Sequence, residues 1–255
     1  MIKTKTPHEI ELMRRAGKIA AAARLLAGKM VTAGATTQSI EKKVYEYILS
    51  QGAEPSFLGY AGFPASICIS VNEEVIHGIP SSRKLVPGDL VSIDIGATKD
   101  GYIGDCAATY IVGEPSPEAK RLVEVTKQCF FEGIKYAKVG YRVSDISRAI
   151  QKHAEENGFS VVREYVGHGV GASVHEPPEV PNYVEKPRRK PDPRLIPGMT
   201  LAIEPMVNAG GAAIRVLEDD WTVVTVDGKP SAHYENTILI TNGEPEILTA
   251  EEEQP

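Results

Sequence analysis

The sequence predicts an α/β protein, more narrowly α+β, in which one α/β unit occurs twice. Three observations carry that prediction. Segments of the second half echo segments of the first at nearly constant spacing. Helix caps followed by helical periodicity occur in both halves, and in both a Pro-Gly turn then feeds a strand that ends on a carboxylate. The two units would pack as antiparallel sheets covered by helices, related by a pseudo-twofold axis.

Thr6-Pro7-His8-Glu9 opens the first helix. Thr6 caps, proline suits the first helical position and Glu9 completes a capping box. Ile10, Met13, Gly17 and Ala20 mark one face, and Gly28 reads as the stop. A second helix begins near Thr37, lines up Ile40, Val44 and Ile48, and closes at Gly52. From Phe57 to Val75 the pattern turns to strand and loop, and Pro87-Gly88 is a type II turn signal. Val91 to Ile95 alternate as a strand does, and Lys99-Asp100-Gly101 supplies turn chemistry. With the turn centred between Lys99 and Asp100, Asp94 and Asp105 stand opposite each other, with Cβ atoms about 4.5–5.5 Å apart. Carboxylates that close repel unless a cation lies between them. The plainer alternative is that Asp105 decorates a solvated turn.

The second half repeats the order. Ser116-Pro117 stands 110 residues after Thr6-Pro7, and Gly140, Ile146, Ile150 and Gly158 stand 106 after Gly34, Ile40, Val44 and Gly52. Leu195-Ile-Pro-Gly-Met-Thr-Leu-Ala-Ile-Glu204 stands 110 after Leu85-Val-Pro-Gly-Asp-Leu-Val-Ser-Ile-Asp94. Glu235 stands 130 after Asp105, and each is followed by Gly-Glu-Pro eight residues on. Any one match is weak; the ordered set is not. We therefore expect a single domain of two related halves, about 1–115 and 116–250. Two copies are too few for a solenoid.

The duplication pairs Asp94 with Glu204 and Asp105 with Glu235. Four carboxylates should then converge near the axis, and two divalent cations would neutralise them. Glu204 and Glu235 share a midpoint between Asp219 and Asp220, although Gly210-Gly211 and Asp227-Gly228 must interrupt those arms. His168, between two glycines, has Gly62 as its first-half counterpart and so breaks the symmetry. An imidazole among oxygens suits Mn²⁺, Fe²⁺, Co²⁺ or Zn²⁺. Paired metals of this kind activate water for hydrolysis. His77 and His175 each sit in a His-x-x-Pro segment upstream of a carboxylate strand. A lone histidine is usually a hydrogen-bonded structural residue, but their matched placement points to the site.

The totals fit this reading. The chain has 255 residues and a formal charge of −6, enough for a real core and unlike a nucleic-acid scaffold. Cys68, Cys106 and Cys129 are odd in number and lack CxxC spacing, so a disulfide framework is not expected. No bilayer-length apolar run and no signal-peptide core is visible. A soluble, monomeric, cytoplasmic protein without membrane contact is the expectation.

The ordered set Asp94, Asp105, His168, Glu204 and Glu235 resembles the metal-ligand set of the methionine aminopeptidases. So do Tyr60-Ala-Gly-Phe-Pro-Ala-Ser-Ile-Cys-Ile-Ser-Val-Asn72, His77-Gly-Ile-Pro80, Gly167-His-Gly-Val-Gly171, Ile203-Glu-Pro-Met206 and Tyr234-Glu-Asn-Thr237. The likeness covers nearly the whole chain and is nearest the short bacterial type I form, with neither an amino-terminal zinc-finger extension nor a long insertion before Glu235.

The resemblance implies the pita-bread fold and removal of the initiator methionine from nascent polypeptide N-termini whose second residue is small. It implies two divalent ions (Co, Mn, Fe or Zn) bridged by Asp105 and Glu235, with Asp94 completing one site and His168 with Glu204 the other. Glu204 would also move the catalytic proton, His175 would bind the scissile carbonyl, and His77 would contact the scissile amide. Tyr60, Phe63, Cys68 and Trp221 would form the methionine pocket. A monovalent cation, Na⁺ or K⁺, would sit near Asn72, Val75 and Ser231. Phe57, where bacterial members often carry cysteine, and Val174, where a larger apolar residue is common, depart from the pattern and bear on pocket width.

Glu185-Lys-Pro-Arg-Arg-Lys-Pro-Asp-Pro-Arg194 lengthens the second unit: His175 to Glu204 spans 29 residues against 17 from His77 to Asp94. It reads as a solvated loop, or else as a transient ribosome contact through phosphate neutralisation. Two other functions compete with the main one. A proline-directed peptidase of the same fold usually carries an additional amino-terminal domain, and a non-catalytic binding protein on this scaffold typically loses ligands.

Overall fold

The computed structural model describes residues 2–185 and 191–251. Helix α1 (Pro7–Met30) starts as expected, with the Thr6 hydroxyl accepting from the Glu9 amide and the Glu9 carboxylate accepting from the Thr6 amide. It does not stop at Gly28. The Gly28 carbonyl accepts from the Val31 amide at the true end, and a Cβ at Gly28 would lie 2.3 Å from the Tyr110 ring. Glycine there serves packing rather than capping. Gly17 and Gly104 do the same one layer further on: a Cβ at Gly104 would lie 2.4 Å from the Gly17 Cα, so α1 rests directly on the sheet below. Helix α2 (Thr37–Ser50) keeps its expected bounds and buries Ile40, Val44 and Ile48 completely.

The strands Leu90–Lys99 and Tyr102–Ile111 form the central hairpin of the first half. Its register corrects one expectation. Asp94 pairs with Ala107, and Asp105 pairs with Gly96. The turn is the dipeptide Asp100-Gly101, both residues at positive φ (51° and 80°), a tight turn matched to strand twist. The two aspartates therefore share a face as diagonal neighbours, not as a directly opposed pair. Strands Cys68–Val71 and Glu54–Pro55 flank the hairpin.

Helices α3 (Pro117–Ile134, capped by Ser116) and α4 (Val143–Glu156) cover the second half. There a five-stranded sheet runs Glu246–Ile247, Asn236–Leu239, Thr200–Ile203, Gly167–Gly169, Glu176–Val180. The arms around Trp221 keep one register throughout: Ile203 pairs with Asn236, Met206 with His233, and Ile214 with Thr225. All three pairs share the midpoint between Asp219 and Asp220, as the carboxylate spacing predicts. The arms break near Gly210-Gly211 and Asp227-Gly228, where the Asp227 carboxylate accepts from the Gly211 amide.

The repeat recurs in backbone detail. A bridge between Thr36 and Lys84 returns as one between Arg142 and Arg194. Leu85 donates to the Ala35 carbonyl as Leu195 donates to that of Tyr141. One apolar core lies under α1 and α2 and another under α3 and α4. The halves join where Ala107 and Glu235 exchange two backbone hydrogen bonds, at 3.2 and 2.9 Å. Among the described residues no helix is long and apolar enough to cross a membrane.

Candidate metal centre

The joint between the halves sets the site. Asp105, on strand Tyr102–Ile111, and Glu235, just before strand Asn236–Leu239, are tied together by the Ala107–Glu235 backbone pair, so their side chains enter one buried space. Asp94 comes from the partner strand of the first-half hairpin. Glu204 follows strand Thr200–Ile203, and His168 sits on the strand beside it, paired with Ala202. The glycines around His168 let the strands approach closely: a Cβ at Gly167 would lie 2.5 Å from the Ala202 carbonyl oxygen, and one at Gly169 would lie 2.5 Å from that of Pro177. Asp105, His168 and Glu235 present ligand atoms within 4.8 Å of one another. His168 Nε2 lies 3.3 Å from Glu204 Oε1.

This arrangement asks for positive charge. Asp94 Oδ1, Asp105 Oδ1 and Glu235 Oε1 are buried without a hydrogen-bond partner in the protein. Burial pushes the Asp94 carboxyl up to about 7. Burial, then the neighbouring carboxylates, raises Asp105, Glu204 and Glu235 well above the usual range. The imidazole of His168 is 2.9 Å from the Gly169 carbonyl through Nδ1. That contact assigns the proton to Nδ1 and leaves an Nε2 lone pair facing a carboxylate oxygen. Two acceptors 3.3 Å apart are stabilised by a cation between them. Arg24 does not serve: its Nη1 donates to the carbonyls of Glu235 and Ala107 and to Asn236 Oδ1. Oxygen donors plus one imidazole, buried and unpartnered, fit divalent ions of the first transition row.

Above the acids lies a cavity of about 140 Å³, room for one side chain rather than a long ligand. Its walls include Tyr60, Phe63, Cys68, Trp221, His77 and His175, the residues named from sequence, together with Phe57 and Val174. Phe63 meets Trp221 edge-on at 5.1 Å. His77 is held at positive φ (59°), an uncommon strain for a residue other than glycine, and packs edge-on against Tyr165. His175 Nδ1 is 2.7 Å from the Tyr60 hydroxyl, and its ring stands 4.3 Å from that of His168. Burial lowers His77 and His168 to about 4, and in each the neighbouring His175 adds to the effect.

The comparisons with known proteins follow this geometry. The model for metallopeptidase family M24 matches residues 11–242. The chain belongs to that family. Methionine aminopeptidase 1 of Bacillus subtilis is 53% identical over 249 residues, covering 98% of this chain and 99% of the relative. The Escherichia coli methionine aminopeptidase is 45% identical over 250 residues, covering 97% and 94%. The crystal structure of the methionine aminopeptidase from Thermotoga maritima superposes with a TM-score of 0.94 at 48% identity, covering 98% of this chain and all of that one. The prolidase from Pyrococcus furiosus superposes at 0.79 with 26% identity and is spanned over 66% of its length. The pita-bread fold expected from the resemblance is the fold of this M24 chain.

Sequence reasoning missed His233. It is fully buried, its Nε2 has no hydrogen-bond partner, and it lies 3.7 Å from Glu235 Oε2 and 4.0 Å from Glu204 Oε2. The available signal was weak: His233 precedes Glu235 by two, a spacing that brings side chains to one side of extended backbone, but the strand Ser231–His233 ends before Glu235. Tyr165 and Ile76, also in the cavity wall, carried no motif. Asn72 and Ser231 meet directly, the Ser231 amide donating to the Asn72 carbonyl, while the Ser231 hydroxyl is engaged by Asn208 Oδ1; Val75 is buried in the adjoining strand Glu74–Ile76. Of the basic stretch, Lys186, Arg188, Arg189 and Lys190 lie outside the described residues.

Proposed function

We propose that Asp94, Asp105, His168, Glu204 and Glu235 hold two divalent ions and that the chain, a metal-dependent aminopeptidase, removes N-terminal methionine from polypeptides with a small second residue. The observation that carries this is the floor of the cavity: buried, unpartnered carboxylate oxygens and a neutral imidazole beneath an apolar wall suited to a thioether. Bound there, the ions supply Lewis acidity for hydrolysis of the first peptide bond. Co, Mn, Fe and Zn all suit the donor set.

The chain's own groups do the rest. Glu204, whose carboxyl burial keeps basic, takes the proton of the attacking water and passes it to the leaving amine. His175 Nδ1 lies 2.7 Å from the Tyr60 hydroxyl; with that hydroxyl as the donor, the His175 proton sits on Nε2 for the scissile carbonyl. His77 contacts the amide region from the other side of the pocket. The small cavity accepts one side chain and leaves the following residues outside.

The same reading treats residues 1–115 and 116–250 as two halves of one catalytic domain, supported by the repeated bridges. It places the protein in the cytoplasm, acting on nascent chains, with a monovalent cation (Na⁺ or K⁺) near Asn72, Val75 and Ser231. A ribosome contact through 185–194 requires that neutralising its basic residues weaken ribosome association and leave free-peptide turnover unchanged.

The deciding assay is methionine release from Met-Ala and Met-Gly peptides against Met-Lys and Xaa-Pro peptides, after chelation and re-addition of each metal. Release from the first pair only, lost with chelator and restored by metal, is expected. Activity indifferent to chelator, or confined to Xaa-Pro, removes the proposal.

A further inference from the structure

His175 stands on a short turn whose flanks at 172 and 173 are exposed, yet the proposed chemistry needs its ring held over the acids. Lys5, 170 residues earlier in the chain, reaches this turn. Lys5 Nζ lies 2.8 Å from Glu176 Oε2, and the two side chains are only 6% and 11% exposed. The other Glu176 oxygen accepts the amides of Ala172 and Ser173 at 3.1 and 3.3 Å. Glu176 thus closes the turn over residues 172–176 through one oxygen and is gripped by Lys5 through the other.

Both ends of the clamp are fixed. The Lys5 amide donates to the Gly198 carbonyl, just before the strand Thr200–Ile203 that leads to Glu204. The Gly171 carbonyl accepts from Ile103, two residues before Asp105. The clamp packs against Gly171: a Cβ there would lie 2.6 Å from both Glu176 Oε1 and Lys5 Cε. Although burial opposes it, Lys5 and the two amides hold the Glu176 carboxyl below the usual range.

We infer that Lys5 and Glu176 are positioning residues that set the reach of the His175 ring over the metal centre. The alternative is a plain structural staple. Exposed ion pairs contribute little, and a buried pair that loses one member leaves an uncompensated charge. Either way stability changes; only the positioning role moves His175. The inference rests on the reading of His175 as the group that binds the scissile carbonyl.

The test compares Lys5→Met, Lys5→Arg, Glu176→Gln and the Lys5→Met/Glu176→Gln double variant, each saturated with Mn²⁺. Turnover of a Met-Ala peptide, the Mn²⁺ dissociation constant by calorimetry, and amide exchange at 172–176 are measured. Lys5→Met and Glu176→Gln should each lower kcat by about tenfold to a hundredfold, the cost of a small misplacement of a catalytic group. Mn²⁺ affinity should be unchanged, and exchange at Ala172 and Ser173 should quicken. Lys5→Arg should restore most of kcat, and the double variant should be no worse than either single one. Unchanged exchange at 172 and 173 in both single variants overturns the inference, as does a parallel loss of Mn²⁺ affinity. Should Lys5→Met not fold, Glu176→Gln, which keeps the shape of the side chain, decides alone. His175→Ala separates the two readings: retained kcat there sinks the role of His175, while exchange still reports on the clamp.

Discussion

At the scale of single residues, the proposal gives Glu204 and His168 different work although their side chains touch at 3.3 Å. In the proposed mechanism Glu204 carries the proton, so Glu204→Gln should lower kcat by about 10²–10⁴-fold, the span of general acid–base catalysis. His168→Ala should lose turnover as well, but by removing a donor atom from the centre. Asp105→Asn should first weaken metal loading, since its carboxylate presents a ligand atom within 4.8 Å of those of Glu235 and His168. Calorimetric titration with Mn²⁺ beside single-turnover rates tells these apart. Glu204→Gln with wild-type kcat at full metal occupancy would refute its assigned role. That these three side chains converge was legible because each lies in a local motif or has a repeat partner. His233 was not, since strand alternation marks a face but does not say that the face is the buried acidic one.

At the scale of elements, glycine explains both what could be read and what was misread. A glycine after an apolar helical face signals a stop, and Gly52 at φ 60° is one. Gly28 has the same surroundings in sequence but is helical and pressed against Tyr110. Only the partner strand distinguishes the two. The hairpin shows the converse. Asp100-Gly101 is a strong signal for a two-residue turn, and centring on that dipeptide gives the observed register; centring one residue earlier opposes the aspartates falsely. Gly104→Ala should test how tightly α1 lies on the hairpin. Its methyl would meet the Gly17 backbone at 2.4 Å, and backbone cannot swing aside as a side chain can. The expected loss is about 1–3 kcal/mol by urea unfolding. A variant as stable as the parent would mean that α1 is free to lift, and with it the alignment of Lys5.

At the scale of the whole molecule, the acids come from both halves, so whatever neutralises them also holds the halves together. This much followed from the duplication, because a repeat that ends each strand on a carboxylate must gather those carboxylates at its axis. Without bound metal the burden falls on protonation. Asp94 is raised to about 7, and Asp105, Glu204 and Glu235 are raised well above the usual carboxylate range, burial first in each case. An acid that holds its proton more tightly when folded stabilises the fold at low pH and loses that contribution as pH rises through its folded value. The histidines work in reverse. His77 and His168 fall to about 4 and His233 to about 3. Their stabilisation therefore grows with pH and is complete above the ordinary imidazole value of about 6.5. From there upward only the carboxylate slope remains. Chelated protein should lose melting temperature as pH rises from about 6.5 through the folded value of Asp94, about 7. Protein with metal at about 100 times its dissociation constant should gain about 2.7 kcal/mol, with a flatter profile because the cations replace the protons. Parallel melting curves with and without chelator across that range would mean that the carboxylates are not what the metal relieves. The two halves would then owe their closure to direct contacts such as the Ala107–Glu235 joint and the Asp105–Thr237 and Thr109–His233 hydrogen bonds.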